Sequence, residues 1–343
     1  MKKHTEGFRS SEYLIFSAVT AAILLLCVCA GSVMLSPGDT VDVLLAALRG
    51  TPMPDTLASN ILLPIRLPRV LCVALVGASL SLAGAAMQGL LKNPLADGST
   101  LGVSSGASLG AVTAIAFGIN LPGFAFGGTM VLSIACAFAS LLLILTLAYR
   151  LDSSLSTNTI ILIGVIFSMF ASSITNLIIT FAGERVKTIT FWSMGSLQGS
   201  SYENALVLLG SLIVFGAPVM ACARELNAFA VGEDNARNIG VNVRRVKLAV
   251  LICVSALIGV CVSISGTIGF VGLVTPHMLR AITGPNHKRL LPAAMFGGAC
   301  FLMLSDLIAR VIVAPRELPI GVVTSFIGSI VFIYIFCSSR KRC

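Results

Sequence analysis

Asp306 stands alone in the apolar run FLMLSDLIARVI, and Arg310 follows four residues later on the same helical face. A lone charge at mid-membrane costs about 3 kcal/mol even on insertion scales, so such a carboxylate implies a task or a partner. The task would be a proton or cation relay. The partner would be Arg310, because an i,i+4 pair offsets part of the cost. Asp306 is the one acid predicted inside the membrane, which favours the structural pair. His4, His277 and His287 are too scattered for a metal set, and His277 reads as a capping or packing group. Neither Gly-x-Ser-x-Gly nor His-Glu-x-x-His occurs, and no Gly is followed by Lys, which excludes a Walker A phosphate loop. Catalysis is not expected of this chain; if ATP drives it, the ATPase is a separate chain.

The segment SGTIGFVGLVTPH (265–277) mixes Gly266, Gly269, Gly272 and Pro276 with β-branched residues. Proline removes a helix hydrogen bond and glycine weakens the helix, so a regular span is not expected there. Broken backbone is tolerated at membrane depth where protein buries it or where it lines a cavity. Small residues crowd GASLSLAGAAMQG (77–89), and Gly102, Gly106 and Gly110 recur every four residues. Both patterns read as close helix packing. The ten cysteines mostly lie inside apolar runs and include no Cys-x-x-Cys pair, so they read as packing residues.

The elements that must position these residues are transmembrane helices. Hydrophobic residues make up 56% of the chain and charged residues 11%, with mean hydropathy +0.98. A soluble domain is about a quarter charged. A span needs about 20 apolar residues. The apolar runs predict about ten, at 13–35, 64–90, 99–118, 128–149, 159–181, 203–222, 245–264, 268–283, 291–312 and 319–337. They form a single transmembrane domain over 1–343. The first run follows Lys2, Lys3 and Arg9 like a signal peptide, but its length and the spans behind it make it a retained helix.

With the N-terminus in the cytoplasm, sixteen of the 23 Lys and Arg fall inside. Seven fall outside: Arg49, Arg66, Arg69, Arg185, Lys187, Arg310 and Arg316. This is the sense of the positive-inside rule, and an even number of spans leaves both termini cytoplasmic. The charge of +9 then records topology, not nucleic acid. An outer segment, about 36–63, contains a short amphipathic stretch (41–48) suited to a membrane surface. In the inner segment, about 223–246, Gly232 and Gly240 bracket a short helical piece (233–239). That piece is either part of a solvated loop or a docking helix for a cytoplasmic partner.

Four segments reach further. They are RLPRVLCVALVGASLSLAGAAMQGLLKNPLADGSTLGVSSGASLG (66–110), FWSMGSL (191–197), GTIGFVGLVTPHMLRAITGPNHKRLLP (266–292) and ELPIGVVTSFIG (317–328). Together, and in order over nearly the whole chain, they resemble the permease family of iron–siderophore, haem and vitamin B12 ABC importers. The resemblance implies an all-α, vitamin B12-importer-permease-like fold of about ten helices in a bacterial inner membrane. It also implies a second permease subunit, two cytoplasmic ATPases that carry ATP and Mg, and an extracytoplasmic substrate-binding protein. No cofactor is implied for this chain itself.

The same resemblance assigns residues. Arg66 and Arg69 match an outer R-x-P-R and Arg310 an outer arginine of the ninth span; in the family these meet acidic residues of the binding protein, which suggests exposed guanidiniums. Positions 232–240, with Gly232, Glu233, Ala236, Arg237 and Gly240, match the coupling helix seated in the ATPase. LSTN (155–158), with Ser156, Thr157 and Asn158, matches the inner gate. The fifth span and a short outer helix at about 190–199 are expected to line the path, making Thr175, Asn176 and Thr180 its candidates. The chain departs from the family at Gly98, where proline is common, and at Gly328-Ser329-Ile330-Val331-Phe332, where Gly-x-Pro-x-Phe is frequent. The expected activity is import of an iron–siderophore or related chelate by alternating access between two permeases. Haem or vitamin B12 are alternative cargoes, and an ion-coupled secondary transporter is the rival class.

Overall fold

The computed structural model describes residues 7–340 except 34, 52–53, 55, 99, 120–126 and 153–155. Lys2, Lys3, His4, Leu155, Lys341 and Arg342 lie outside the described residues, as does part of the 36–63 segment.

Among the described residues every regular element is a helix, as lipid requires of backbone that cannot hydrogen-bond to water. In chain order they are α1 (Ser10–Cys29), α2 (Pro37–Arg49), α3 (Leu57–Leu91), α4 (Val103–Phe117), α5 (Gly127–Leu151), α6 (Thr157–Phe181) and α7 (Val186–Ser193). There follow α8 (Tyr202–Ala221), α9 (Ala223–Val231), α10 (Glu233–Asn238), α11 (Val243–Ser265), α12 (Val271–Thr283), α13 (His287–Val311) and α14 (Ile320–Arg340). Each predicted span coincides with one of them. Seven (α1, α3, α5, α6, α8, α11 and α13) are long and apolar enough to cross a membrane, whereas α4, α12 and α14 present shorter apolar stretches.

The axis of the bundle is α3, with 78% of its most apolar window buried against 22% in α6 and 11% in α1. It runs antiparallel to α13. A Cβ added to Gly77 or to Gly298 would fall 2.3 Å from the other's carbonyl oxygen, so the two backbones touch where neither residue has a side chain. On α4, Gly106 meets Ser140 of α5 and Gly110 meets Leu132 in the same way. The 77–89 wall and the Gly102–Gly106–Gly110 ladder thus become helix contacts.

Proline shapes the long helices. One widened turn, Leu62–Arg66 in α3 and Leu212–Gly216 in α8, lies just ahead of Pro68 and of Pro218, neither of which can donate to the ladder. Between α11 and α12 the chain unwinds over 266–270, as the glycine-rich segment predicted. The break is stitched to the end of α7: Ser196 N donates to Ser265 O at 2.8 Å, and Thr267 Oγ1 donates to Ser193 O. That stitching also places α7 earlier than the expected 190–199, since the chain leaves the helix at Gly195, whose φ of +77° suits glycine. The absence of proline from 328–332 leaves α14 uninterrupted there.

Candidate functional site

A cavity of about 560 Å3 opens where α4, α6, α11 and the 266–270 break converge. Thr175 and Asn176 of α6 face Ser104, Ser105 and Ser108 of α4 across it, and the 267–270 backbone with Gly272 and Leu273 forms a third wall. The Thr175 hydroxyl donates to Ala171 O at 2.8 Å, the bond by which a hydroxyl satisfies itself within a helix. Thr180 makes the same bond to Asn176 O, at 2.9 Å, but is exposed and outside the cavity. Asp97 stands at one edge, where its carboxylate accepts from Thr100 N at 3.3 Å and closes the 97–100 turn.

At one end of the bundle, three arginines and two carboxylates form a buried network. Arg69 Nη2 lies 2.9 Å from Asp306 Oδ1, and Arg69 Nη1 lies 2.7 Å from Glu317 Oε2. Arg310 Nε lies 2.9 Å from Asp306 Oδ2, an i,i+4 ion pair in which the N–H is not aimed squarely at the oxygen. The remaining Arg310 nitrogens donate to Cys27 O and Ala30 O at 3.0 and 3.1 Å. Arg66 donates to Cys29 O at 2.7 Å, to Val28 O at 3.2 Å and to Val33 O. The last carbonyls of a helix lack partners within it, and α1 has no basic residue in its final turn. Arg66 and Arg310 supply those donors from α3 and α13.

This corrects one expectation. Arg66, Arg69 and Arg310 do not present exposed guanidiniums: they are 5%, 7% and 2% exposed, and each is engaged inside the chain. Unpaired burial would cost several kcal/mol per charge, so the carboxylates and carbonyls are what permit it.

At the opposite end, the residues read separately as gate and coupling helix share one cleft. Ser156, Thr157 and Asn158 line it together with Gly232, Glu233 and Arg237. The α10 helix is bracketed by Gly232 (φ +136°) and Gly240 (φ +90°) and buries Ala236 fully, while Arg237 and Gly240 are exposed. Glu233 Oε1 lies 2.7 Å from the Lys247 ammonium of α11, itself 1% exposed, and accepts from Thr157 Oγ1 at 3.5 Å. On the preceding helix, Asn227 Oδ1 accepts from His287 N at 2.8 Å and faces His287 Nδ1 at 2.9 Å. An amide oxygen only accepts, so the network assigns the imidazole proton to Nδ1.

The sequence alone assigns no partner to Lys247, Asn227, His287, Glu317 or Gln88. Their partners lie far along the chain, except that Lys247 is only fourteen residues from Glu233. For Gln88 a signal existed: it is the lone amide in a wall of Gly, Ala and Ser, and an amide in such a place implies a buried partner.

An apolar helical bundle of this kind, with a cavity of mixed polar and apolar lining, is a membrane-spanning fold. Its class is that of the transport permease subunits. The chain belongs to the FecCD transport family, whose model matches residues 19–338. It is 44% identical over 287 residues to an uncharacterized ABC transporter permease protein, YvrB, of Bacillus subtilis, covering 84% of this chain and 81% of that one. It is 36% identical to the cobalamin import system permease protein BtuC of Halobacterium salinarum (84% and 76% covered). The hemin transport system permease protein HmuU of Yersinia pestis is also 36% identical (82% and 85% covered). A solved metal-chelate type ABC transporter in an inward-facing conformation superposes with a TM-score of 0.83 at 29% identity, covering 95% of this chain and 98% of that one. The chain is thus a transport subunit of the importer class, with ATP hydrolysis assigned to a separate subunit.

Proposed function

We propose that this permease imports an iron–siderophore complex or a related metal chelate by alternating access at an interface between two permease chains. The observation that carries the proposal is the cavity between α4, α6 and α11, where Thr175 and Asn176 meet the unwound 267–270 backbone. Likeness to a metal-chelate transporter supports the choice of cargo. Hydroxyls and one amide set among apolar side chains such as Ile258, Val262 and Phe270, with Asp97 tied into its own turn at the edge, hold a solute weakly, as a path must if the cargo is to leave. In this reading the Glu233 end is cytoplasmic. The α10 helix, with Gly232, Glu233, Ala236, Arg237 and Gly240, seats in an ATPase that binds ATP and Mg, and 156–158 close the inner gate. The Arg69 end faces outward to a binding protein. Arg66, Arg69 and Arg310 then serve docking mainly by holding that surface in shape, with Glu317 and Arg69 nearest its edge.

The test is reconstitution in proteoliposomes with the partner ATPase and binding protein, followed by uptake of labelled chelates. ATP-dependent accumulation of an iron–siderophore is expected. Cobalamin and haem, named for relatives, are the competing cargoes in the same assay. Uptake driven by an ion gradient without the ATPase would overturn the reading.

A further inference from the structure

The Gly272–Leu273 wall of the cavity belongs to a helix with a fault in it. Pro276 lies within α12, four residues after Gly272. In a regular helix the amide of residue 276 would donate to the carbonyl of residue 272, and proline has no such amide. The Gly272 carbonyl thereby loses its helical donor, and an acceptor shielded from water and left unpaired costs about 1–3 kcal/mol.

A side chain from another helix fills the gap. Gln88 of α3, 4% exposed, extends Nε2 to within 3.3 Å of Gly272 O and 3.1 Å of Leu273 O. Its Oε1 accepts from Arg280 Nη2 at 3.1 Å. Both ends of the amide are thus used, and its orientation is set by the network: nitrogen toward two carbonyls, oxygen toward a guanidinium. Close approach makes this reach possible. A Cβ on Gly84 would fall 1.9 Å from Gly272 O, so α3 and α12 are in backbone contact one turn before Gln88.

We propose that Gln88 is a positioning residue that replaces the missing amide of Pro276 and fixes the cavity-lining turn of α12 against α3. The proposal rests on the cavity being the cargo path only for its consequence in transport; the clamp itself is independent of that reading. The proline defect keeps the first turn of α12 from being locked by its own ladder, and Gln88 transfers the hold to the central helix. Movement of α3 relative to α6 is then conveyed directly to the Gly272 wall.

The experiment compares the wild type, Gln88→Met, Pro276→Ala and the double variant in the complete importer in lipid nanodiscs and proteoliposomes. Pro276→Ala restores a backbone donor four residues after Gly272, so it should rescue Gln88→Met. Hydrogen exchange of the Leu273 and Val274 amides, which donate to Phe270 O in the first turn of α12, is expected to quicken about tenfold in Gln88→Met as that turn loses its hold on α3, and to return to within about twofold of wild type in the double variant. ATP-driven uptake should follow the same pattern. Unchanged exchange in Gln88→Met, or failure of Pro276→Ala to restore it, would overturn the clamp. If wild type shows no chelate uptake while exchange behaves as expected, the function reading fails and the clamp stands.

Discussion

Asp306 shows how one buried charge is made tolerable. Its two oxygens serve arginines from two helices, Arg69 of α3 and Arg310 of α13, and those arginines are in turn held by Glu317 and by carbonyls at the end of α1. The i,i+4 spacing identified Arg310 as a neighbour, but Arg69 and Glu317 come from elsewhere in the chain and leave no local mark. Removing the central member should therefore cost more than removing a peripheral one. Asp306→Ala leaves two buried guanidiniums short of a carboxylate and is expected to destabilise by about 3–5 kcal/mol. Glu317→Ala, at a position 18% exposed, should cost about 1 kcal/mol or less. Thermal unfolding in detergent ranks the two. A larger loss of Tm at Glu317 would mean that Arg69, not Asp306, is the centre of the network.

At the scale of elements, α10 is too short to act by its own stability and must be braced by neighbours. Glu233 ties it to Lys247 of α11 and to Thr157 at the start of α6, while Asn227 ties the adjoining α9 to His287 at the start of α13. On the proposed coupling role of α10, a push on it would reach α6, the helix that carries Thr175 and Asn176, through the Glu233–Thr157 contact. Glu233→Ala should leave ATP hydrolysis within about twofold of wild type and lower uptake per ATP about tenfold, the effect of about 1.4 kcal/mol at a charge-assisted contact. The charge swap Glu233→Lys with Lys247→Glu should recover much of that ratio. Equal loss of hydrolysis and uptake would point to ATPase docking and not to transmission. How legible this was follows from the same physics. Helix positions were readable because an apolar run long enough for lipid has few other fates, and the α10 brackets because glycine is needed where φ is positive. The exposure of Arg66 and Arg69 was not, because it depends on carbonyls of α1 that approach only after folding. Gln88 was half legible: Pro276 announces an orphaned carbonyl at Gly272, but not which helix brings the donor.

For the whole molecule, orientation is the property on which every functional role depends, and it rests on charge asymmetry. Sixteen Lys and Arg against seven favour the cytoplasm for the α10 end by the positive-inside rule, which counts loop cations and not net charge. The structure adds an argument of its own. Three of the seven basic residues at the other end, Arg66, Arg69 and Arg310, are buried against carboxylates and helix carbonyls and weigh little as topological signals; among the sixteen the same holds for Lys247. Discounting those four sharpens the asymmetry. Substituted cysteines in a cysteine-free background test it directly. Asn238 at the end of α10 and Gln198, beside Glu317, are exposed and lie at opposite ends. A membrane-impermeant maleimide applied to intact cells should label Gln198→Cys and spare Asn238→Cys, and inverted vesicles should reverse the pattern. Labelling of Asn238→Cys in intact cells would invert the molecule, placing the α10 cleft on the binding-protein side and removing the basis for coupling to a cytoplasmic ATPase.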